Sequence, residues 1–290
     1  MESKYDIYET MPKHLYPRTI FITTNEDINL ITQQLKAKEI RLPCIVKPDT
    51  GMRGLKVKLL NTFEDLYNYH SNATFSYLIQ EYIAYENEVG IFYIRYPDEK
   101  SGIITGIVGK EFLTIIGDGI STIETLVKKN NRYLLQLNNL RIIYGNTLKK
   151  ILPLNEKYTL VPYGNHSRGS KFIDLSNLID EQLSSTINLI CLSIPDFYYG
   201  RLDIKFKDWE DLKNGKNFSI IEVNGAGSEP THIYDPKHSI FYAWKEIKIH
   251  CKILYKISIT NKKIRGLEFM TTREGMKMLR ENKEQVARLT

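Results

Sequence analysis

Short apolar runs alternate with stretches of helical periodicity along the chain, which predicts a mixed α and β fold. Apolar runs bounded by turn residues predict strands at 19–24, 43–48, 55–60, 75–80, 88–96, 102–109, 200–206 and 218–224. Apolar positions three and four residues apart, together with polar caps, predict helices at 26–38, from Thr62, from the capping box Ser121–Glu124, and at 176–193 with Ser176 as the cap.

The last part of the chain is predicted to be helical and basic. After Pro236, apolar residues fall on one side of a long helix and lysines on the other, so we expect the apolar side to pack on the core. The predicted apolar stripe consists of Ile240, Ala243, Trp244, Ile247, Cys251 and Leu254, and the lysine row of Lys245, Lys248, Lys252 and Lys256. Thr271 is predicted to cap a final basic helix with a thin apolar face.

Composition excludes several classes of protein. Apolar residues make up 42% of the 290 positions and charged residues 26%, which excludes a disordered chain. The three cysteines, Cys44, Cys191 and Cys251, are far apart and odd in number, which argues against a disulfide scaffold and a cysteine zinc site. No secretory signal and no apolar run of about 18 residues is recognisable, so we expect a cytoplasmic protein.

Positive charge is concentrated near the end of the chain. The net charge is +6, and residues 245–290 hold 12 Lys or Arg against 5 Asp or Glu, a balance of +7. The remaining residues therefore sum to −1. Such a tail is either a solvated helix face or a contact surface for a partner chain or an anionic membrane at the inner face. No pattern typical of specific nucleic-acid binding is found.

Alternating polar positions mark the two strands at 200–206 and 218–224. Side chains alternate between faces, so Arg201, Asp203 and Lys205 share one face of the first strand. Glu222 and Asn224 share one face of the second strand. If the strands pair as a hairpin, Asp203 meets both of them, and two carboxylates with one amide are ligands suited to Mg²⁺. The alternative is a surface hairpin whose charges face water.

Two upstream segments carry weaker signals. Lys47 ends a buried strand and is followed by a loop containing Gly51 and Gly54, whose backbone N–H groups could cradle phosphates. The apolar run Leu78–Ile79 ends at Glu81, and Glu88 follows seven residues later. This second segment suits adenine binding through the backbone and ribose binding through a carboxylate. The alternatives are an ordinary glycine turn between strands for the first segment and a strand with a polar end for the second.

The ordered set of segments VKPDTGMRG, QEYI, GRLD and EVNGAGS resembles the ATP-grasp superfamily. Within it the chain is similar to the carboxylate–amine ligases typified by D-alanine–D-alanine ligase and cyanophycin synthetase, over residues 3–245. The resemblance implies an α+β fold in which two subdomains with mainly antiparallel sheets grip ATP between them. We expect an ATP-grasp domain at 1–260, with its smaller subdomain at about 40–110, and a basic helical tail at 261–290.

The resemblance also implies nucleotide-binding residues. Lys47, the loop 49–54 with Gly51 and Gly54, and more weakly Lys4 and Lys110, match groups that contact ATP phosphates. Glu81, with the backbone of Tyr82 and Ile83, matches the hinge that binds adenine, and Glu88 matches the acid that binds ribose. The basic loop that contains His166, Arg168 and Lys171 is similar to a stretch of cyanophycin synthetase relatives, and it suits an anionic substrate or phosphate equally well as a plain surface loop.

Catalytic and metal-binding residues are implied at the later strands. Asp203, Glu222 and Asn224 match ligands of Mg²⁺, for which Mn²⁺ could substitute. Arg201 matches the arginine that stabilises a tetrahedral intermediate, and backbone groups at Gly225–Ser228, Gly227 among them, would assist it. Lys205, on the same face as Arg201, is the further candidate for binding phosphate or developing negative charge.

The function implied is an ATP-dependent ligase that joins a carboxylate to an amine, or to a thiol, through an acyl phosphate with release of ADP. ATP and small-molecule acid and amine substrates are the expected ligands. The family usually carries a further substrate-binding domain ahead of this region, so either the sequence is trimmed or a partner chain or a membrane surface completes the substrate site. The alternatives are a small-molecule kinase of the same fold and a non-catalytic ATP-binding module recruited through its basic tail.

Overall fold

The computed structural model describes residues 2–51, 54–161 and 170–289. Within these ranges the chain forms a four-stranded sheet, a five-stranded sheet and a two-stranded sheet, and every strand pairing is antiparallel. Helices cover the sheets, so the predicted α+β class with mainly antiparallel sheets is confirmed.

The four-stranded sheet has the strand order β1-β4-β2-β3. Its elements are β1 (Thr19–Ile22), α2 (Ile28–Ala37), β2 (Cys44–Pro48), β3 (Lys58–Leu60), α3 (Phe63–Ser71) and β4 (Tyr77–Glu81). Both helices pack on one face around Ile31, Val46 and Ile79, which are fully buried. The Thr62 side chain caps α3 in a reciprocal capping box with Asp65, as the sequence predicts.

The five-stranded sheet has the order β11-β10-β5-β6-β9. Its strands are β5 (Asn87–Ile94), β6 (Ile103–Glu111), β9 (Lys171–Asp174), β10 (Tyr199–Phe206) and β11 (Phe218–Asn224). One face packs on α7 (Glu181–Leu192) through fully buried Ile91, Ile187 and Leu202, and α8 (Trp209–Lys213) follows β10. The short helix α1 (Lys4–Thr10), capped by Ser3, packs against β11 through its buried Tyr8.

The smaller sheet unit spans residues 19–81, whereas the smaller subdomain is expected at about 40–110. The difference arises because β1 pairs with β4, which extends the unit toward the N-terminus. The predicted hairpin β5–β6 hydrogen-bonds to β10 and β9 and therefore belongs to the larger sheet.

Residues 113–161 build a third unit with its own apolar core. Its elements are β7 (Leu113–Ile116), α4 (Ile123–Lys128), α5 (Asn131–Leu134), α6 (Leu137–Tyr144) and β8 (Lys157–Val161). The predicted capping box at Ser121–Glu124 is wrong by one residue, because the Thr122 hydroxyl accepts the backbone N–H of Thr125 instead. The carboxylate of Asp118 accepts the N–H of Ser121, which leaves Ser121 in the preceding turn.

The predicted start of α7 is also corrected. Asp180, rather than Ser176, is its N-cap, and its carboxylate accepts the N–H of Leu183. Ser176 instead begins a short 3-10 turn and hydrogen-bonds to Asp174. Both residues are typical caps, so the sequence pattern alone could not decide between them.

The two terminal helices are α9 (Ile240–Arg265) and α10 (Thr272–Leu289), and Thr271 caps α10 as predicted. The predicted boundary at residue 260 falls within α9. The expected core-facing stripe is wrong except for Leu254, which packs against a buried cluster. His250 and Ile257 are the buried residues of α9, whereas Trp244 is 60% exposed. The helix meets the sheet at Phe92 and Tyr199, and this contact fixes a different side of α9 inward. Within the described residues, no helix combines the length and the apolar character that crossing a membrane requires.

Candidate nucleotide and metal site

Two carboxylates lie opposite each other on the face of the five-stranded sheet that is turned away from α7. Asp203 on β10 pairs in register with Glu222 on β11, and Arg201 pairs with Asn224. Directly opposite residues of an antiparallel pair project to the same face, so these four side chains share one surface. The predicted meeting of Asp203 with Glu222 is therefore confirmed.

Asp203 is buried and held by two cations. Arg201 Nε lies 2.7 Å from Asp203 Oδ1, and Lys110 Nζ lies 2.9 Å from Asp203 Oδ2. Lys110 also donates to Glu88 Oε1 at 2.7 Å, and both of these side chains are only 5% exposed. Burial would raise the pKa of Asp203, but Arg201 and Lys110 lower it to about 2. Burial likewise disfavours the charge on Lys110, yet the two carboxylates leave its pKa raised. Asp203, Lys110 and Arg201, whose own pKa is raised by Asp203, therefore remain ionised.

Lys47 extends from the four-stranded sheet toward the five-stranded one. Its Nζ donates to Tyr8 Oη, Gln80 Oε1 and the carbonyl of Ile221, each at 2.9 Å. Burial lowers the pKa of Lys47 to about 8, although the carboxylate of Glu222 favours its charged form. Since Ile221 immediately precedes Glu222, a cation of the smaller sheet lies beside the carboxylate pair of the larger one.

Lys4 supports the loop that follows β2. Its Nζ donates to the carbonyls of Asp49 at 3.2 Å and Gly51 at 3.0 Å. Asp49 in turn accepts the Ser3 hydroxyl and the N–H of Tyr5, which fixes the start of α1 against this loop. Burial lowers the pKa of Lys4, and Glu222 and Lys47 act on it in opposite directions. Lys4 thus lies at the predicted phosphate loop and within electrostatic reach of the carboxylate pair.

The segment between the two sheets is held by Lys205. Its Nζ donates to the carbonyls of Ile83 at 3.3 Å and Tyr85 at 3.0 Å, and it lies 5.6 Å from the ring centre of Tyr82. Lys205 also pairs in register with Glu88. Its contacts place it at the predicted adenine hinge, at the opposite end of β10 from Arg201, so they favour a binding role over a catalytic one.

Glu81 directs its side chain away from this face. Arg18 grips both of its carboxylate oxygens, at 3.0 Å and 2.7 Å, and lowers its pKa. On β4, Glu81 lies on the same face as Ile79, which packs under the helices, whereas Gln80 points to the opposite face with Lys47. The Glu81 side chain is therefore not available for the predicted adenine contact, and its backbone N–H already donates to the carbonyl of Arg18 at 2.9 Å.

The donor set fits a hard divalent cation. Asp203, Glu222 and Asn224 offer carboxylate and amide oxygens from adjacent strands, and Mg²⁺ takes few protein carboxylates and completes its shell with water and phosphate oxygens. Among the described residues, no group of three or more His, Cys, Asp or Glu side chains could hold a metal by itself.

No family model and no curated protein sequence matches the chain. Solved structures with a similar fold include a bifunctional glutathione synthetase from Pasteurella multocida, at 15% identity and a TM-score of 0.45. D-alanine–D-alanine ligase from Bacillus anthracis is 15% identical with a TM-score of 0.48, and the ATP-grasp ligase PsnB is 10% identical with a TM-score of 0.45. The alignments cover 87%, 91% and 88% of this chain.

The chain spans 35% of the glutathione synthetase, 68% of the D-alanine–D-alanine ligase and 60% of PsnB. At these identities, and with TM-scores below 0.5, nothing about this chain follows from the likeness. The activity and substrates of this chain are therefore inferred below from its own residues.

Eight of the residues singled out from sequence come together in the fold. The group that converges on the same face or its margin is Lys4, Lys47, Glu88, Lys110, Arg201, Asp203, Glu222 and Asn224. The backbone at Gly227 faces open space among the described residues. His166 and Arg168 lie outside the described residues, and Lys171 makes a long ion pair with Glu111 at 3.7 Å.

Three residues of the site were not predicted from sequence. Tyr8 and Gln80 accept hydrogen bonds from Lys47, and Gly90 lies opposite Asp203. A side chain at Gly90 would meet Val108 at 2.8 Å and Arg201 at 2.9 Å, so only glycine leaves Arg201 its place. The period-2 alternation of β4 could have identified Gln80, because it puts Gln80 on the face opposite to that of Ile79, where Lys47 lies.

Proposed function

We propose that the protein is an ATP-dependent ligase that joins a carboxylate to an amine through an acyl phosphate. The observation that carries this proposal is the pairing of buried Asp203 with Glu222 on one face, beside Arg201 and next to Lys47 of the smaller sheet. A nucleoside triphosphate needs both an oxygen-ligated cation and fixed positive side chains, and this face combines them. The resemblance of the four sequence segments to carboxylate–amine ligases supports the same assignment.

Each part of the site has a binding task in this proposal. The adenine would bind at the backbone of Glu81–Ile83, which Lys205 anchors from the next sheet. Lys47 and the loop beginning at Asp49, braced by Lys4, would hold the phosphates. Glu88 would accept the ribose hydroxyls once Lys110 turns toward the phosphates, because Lys110 now occupies the Glu88 carboxylate.

Asp203, Glu222 and Asn224 would hold Mg²⁺, which neutralises the charge of the phosphate oxygens when bound. In the first step a carboxylate oxygen of the substrate attacks the γ-phosphorus, the bond to the β-phosphate oxygen breaks and ADP leaves. In the second step the amine nitrogen attacks the acyl carbon, inorganic phosphate leaves and the amine loses a proton to solvent. Arg201 and the N–H groups of Gly225–Ser228 would stabilise the oxyanion of this second step.

The test combines turnover with trapping. Purified protein is incubated with MgATP and a panel of small carboxylic acids and amines while ADP release is measured, and hydroxylamine is added in place of the amine. We expect ADP release that depends on an acid, together with a hydroxamate of that acid. Asp203→Asn and Glu222→Gln should each abolish this turnover, whereas Asp98→Asn on the exposed loop after β5 should leave it unchanged.

Two outcomes would overturn the proposal. A stable phosphoester without hydroxamate would identify a kinase, and nucleotide binding without turnover on any acid would identify a binding module. Full activity of Asp203→Asn or Glu222→Gln would remove the assignment of the carboxylate pair. Thermal unfolding of each variant separates loss of chemistry from loss of the fold.

A further inference from the structure

The outer surface of α9 presents large apolar side chains and lysines together. We define this surface as Ile240, Phe241, Trp244, Ile247, Tyr255, Lys245, Lys248 and Lys252, all of which are exposed. Phe241 is 72% exposed, Trp244 60% and Tyr255 68%. The rings of Phe241 and Trp244 lie 5.8 Å apart, edge to face, so they form one continuous patch. Large apolar side chains that cluster on a surface mark a binding site more often than isolated ones do.

The orientation of this surface is fixed by the opposite side of the helix. The ring of His250 packs edge-on against Phe92 at 4.7 Å, and Ile257 joins the same buried cluster. Near the end of α9, Arg265 forms an ion pair with Asp196 at 2.8 Å. Because the inner side is anchored along its length, α9 cannot turn its aromatic residues inward. The outer surface is thus held rigidly outward along a helix of about 39 Å.

The charge of the surface identifies its occupant. The surface holds three lysines and no acidic residue. Helix α9 as a whole carries seven Lys or Arg residues and one acid, Glu246, and two of the basic residues off the surface are paired, Lys262 with Glu268 and Arg265 with Asp196. A second copy of the chain would bring this excess positive charge against itself, which disfavours self-association. Anionic lipid headgroups attract lysines near the membrane surface, and Trp and Tyr prefer the same interfacial depth.

We propose that the outer surface of α9 binds an anionic lipid bilayer, with the helix lying in the plane of the membrane. The aromatic rings would enter the headgroup region while the lysines extend to the lipid phosphates. This binding involves none of the residues of the candidate nucleotide site. It can therefore be tested without ATP, and it stands or falls separately from the proposed ligase activity.

The test uses vesicles of phosphatidylcholine alone and vesicles that also contain phosphatidylglycerol, with binding measured by co-sedimentation. We expect binding only to the anionic vesicles, and release at high salt because ionic attraction is screened. The double variant Phe241→Ser/Trp244→Ser should weaken binding at least about tenfold. The matched control is Ile142→Ser/Ile143→Ser on α6, which removes two side chains that are 83% and 68% exposed and should leave binding unchanged.

A second measurement locates the surface on the membrane. Trp209 packs against Phe206, so Trp209→Phe leaves Trp244 as the single tryptophan. Its fluorescence should shift to the blue with anionic vesicles and be quenched by brominated lipid. Absence of binding to anionic vesicles, or a bound protein whose Trp244 is not quenched, would overturn the proposal. So would a dimer in sedimentation that Phe241→Ser/Trp244→Ser dissociates, since it would identify a second copy as the occupant.

Discussion

Replacement of Lys110 by methionine tests whether one buried cation balances the carboxylates of the site. Its ammonium lies 2.7 Å from Glu88 and 2.9 Å from Asp203, and none of the three side chains is more than 5% exposed. Removing one partner of a buried ion pair costs about 3–5 kcal/mol, because the remaining charge is left without compensation. Asp203 keeps Arg201, so most of the cost should come from Glu88.

The measurement is thermal unfolding of Lys110→Met at neutral pH. At about 2 °C per kcal/mol for a chain of this size, the midpoint should fall by about 6–10 °C. The matched control is Lys128→Met, whose ion pair with Glu124 is just as short at 2.8 Å but has a lysine 50% exposed. An exposed pair contributes less than about 1 kcal/mol, so the control should shift the midpoint by about 2 °C or less.

A second substitution distinguishes a charge effect from a packing effect. Without Lys110, Glu88 is a buried carboxylate that has lost its ion-pair partner, because Lys205, which lies opposite it, donates to the carbonyls of Ile83 and Tyr85 instead. Lys110→Met/Glu88→Gln should recover part of the loss at neutral pH. Equal, small shifts for Lys110→Met and Lys128→Met would refute the buried-network reasoning.

Three further predictions concern single positions. Lys47 has a pKa of about 8 and is charged below that pH, so nucleotide affinity measured by calorimetry should fall about tenfold between pH 7 and pH 9, and Lys47→Arg should remove this dependence. Gly90→Ala should displace Arg201 and abolish turnover. The control Gly275→Ala, whose added methyl meets only a methionine sulfur at 3.7 Å, should leave turnover intact. An active Gly90→Ala would contradict the close approach of Arg201 to Gly90. Thr62→Ala removes the cap of α3 and should cost about 1 kcal/mol in urea unfolding, and no measurable loss would show that the capping box is dispensable.

The sequence by itself determined the local elements and the polar pair Asp203 and Glu222. Hairpin strands close in sequence pair with each other, and alternation puts every second residue on one face. Those two rules suffice to bring Asp203 opposite Glu222, because only a short connection separates their strands. The same rules predicted the β5–β6 hairpin and the capped helix after Thr62.

Only the tertiary structure decided which distant elements became neighbours. Lys110 on β6 and Asp203 on β10 are some ninety residues apart in the chain. They meet because only one strand, β5, lies between β6 and β10 in the sheet. No spacing rule predicts such a pairing, since it depends on the packing of the whole sheet. The side of α9 that turned inward was likewise set by the fit of His250 against Phe92, and this contact left the apolar stripe around Trp244 exposed.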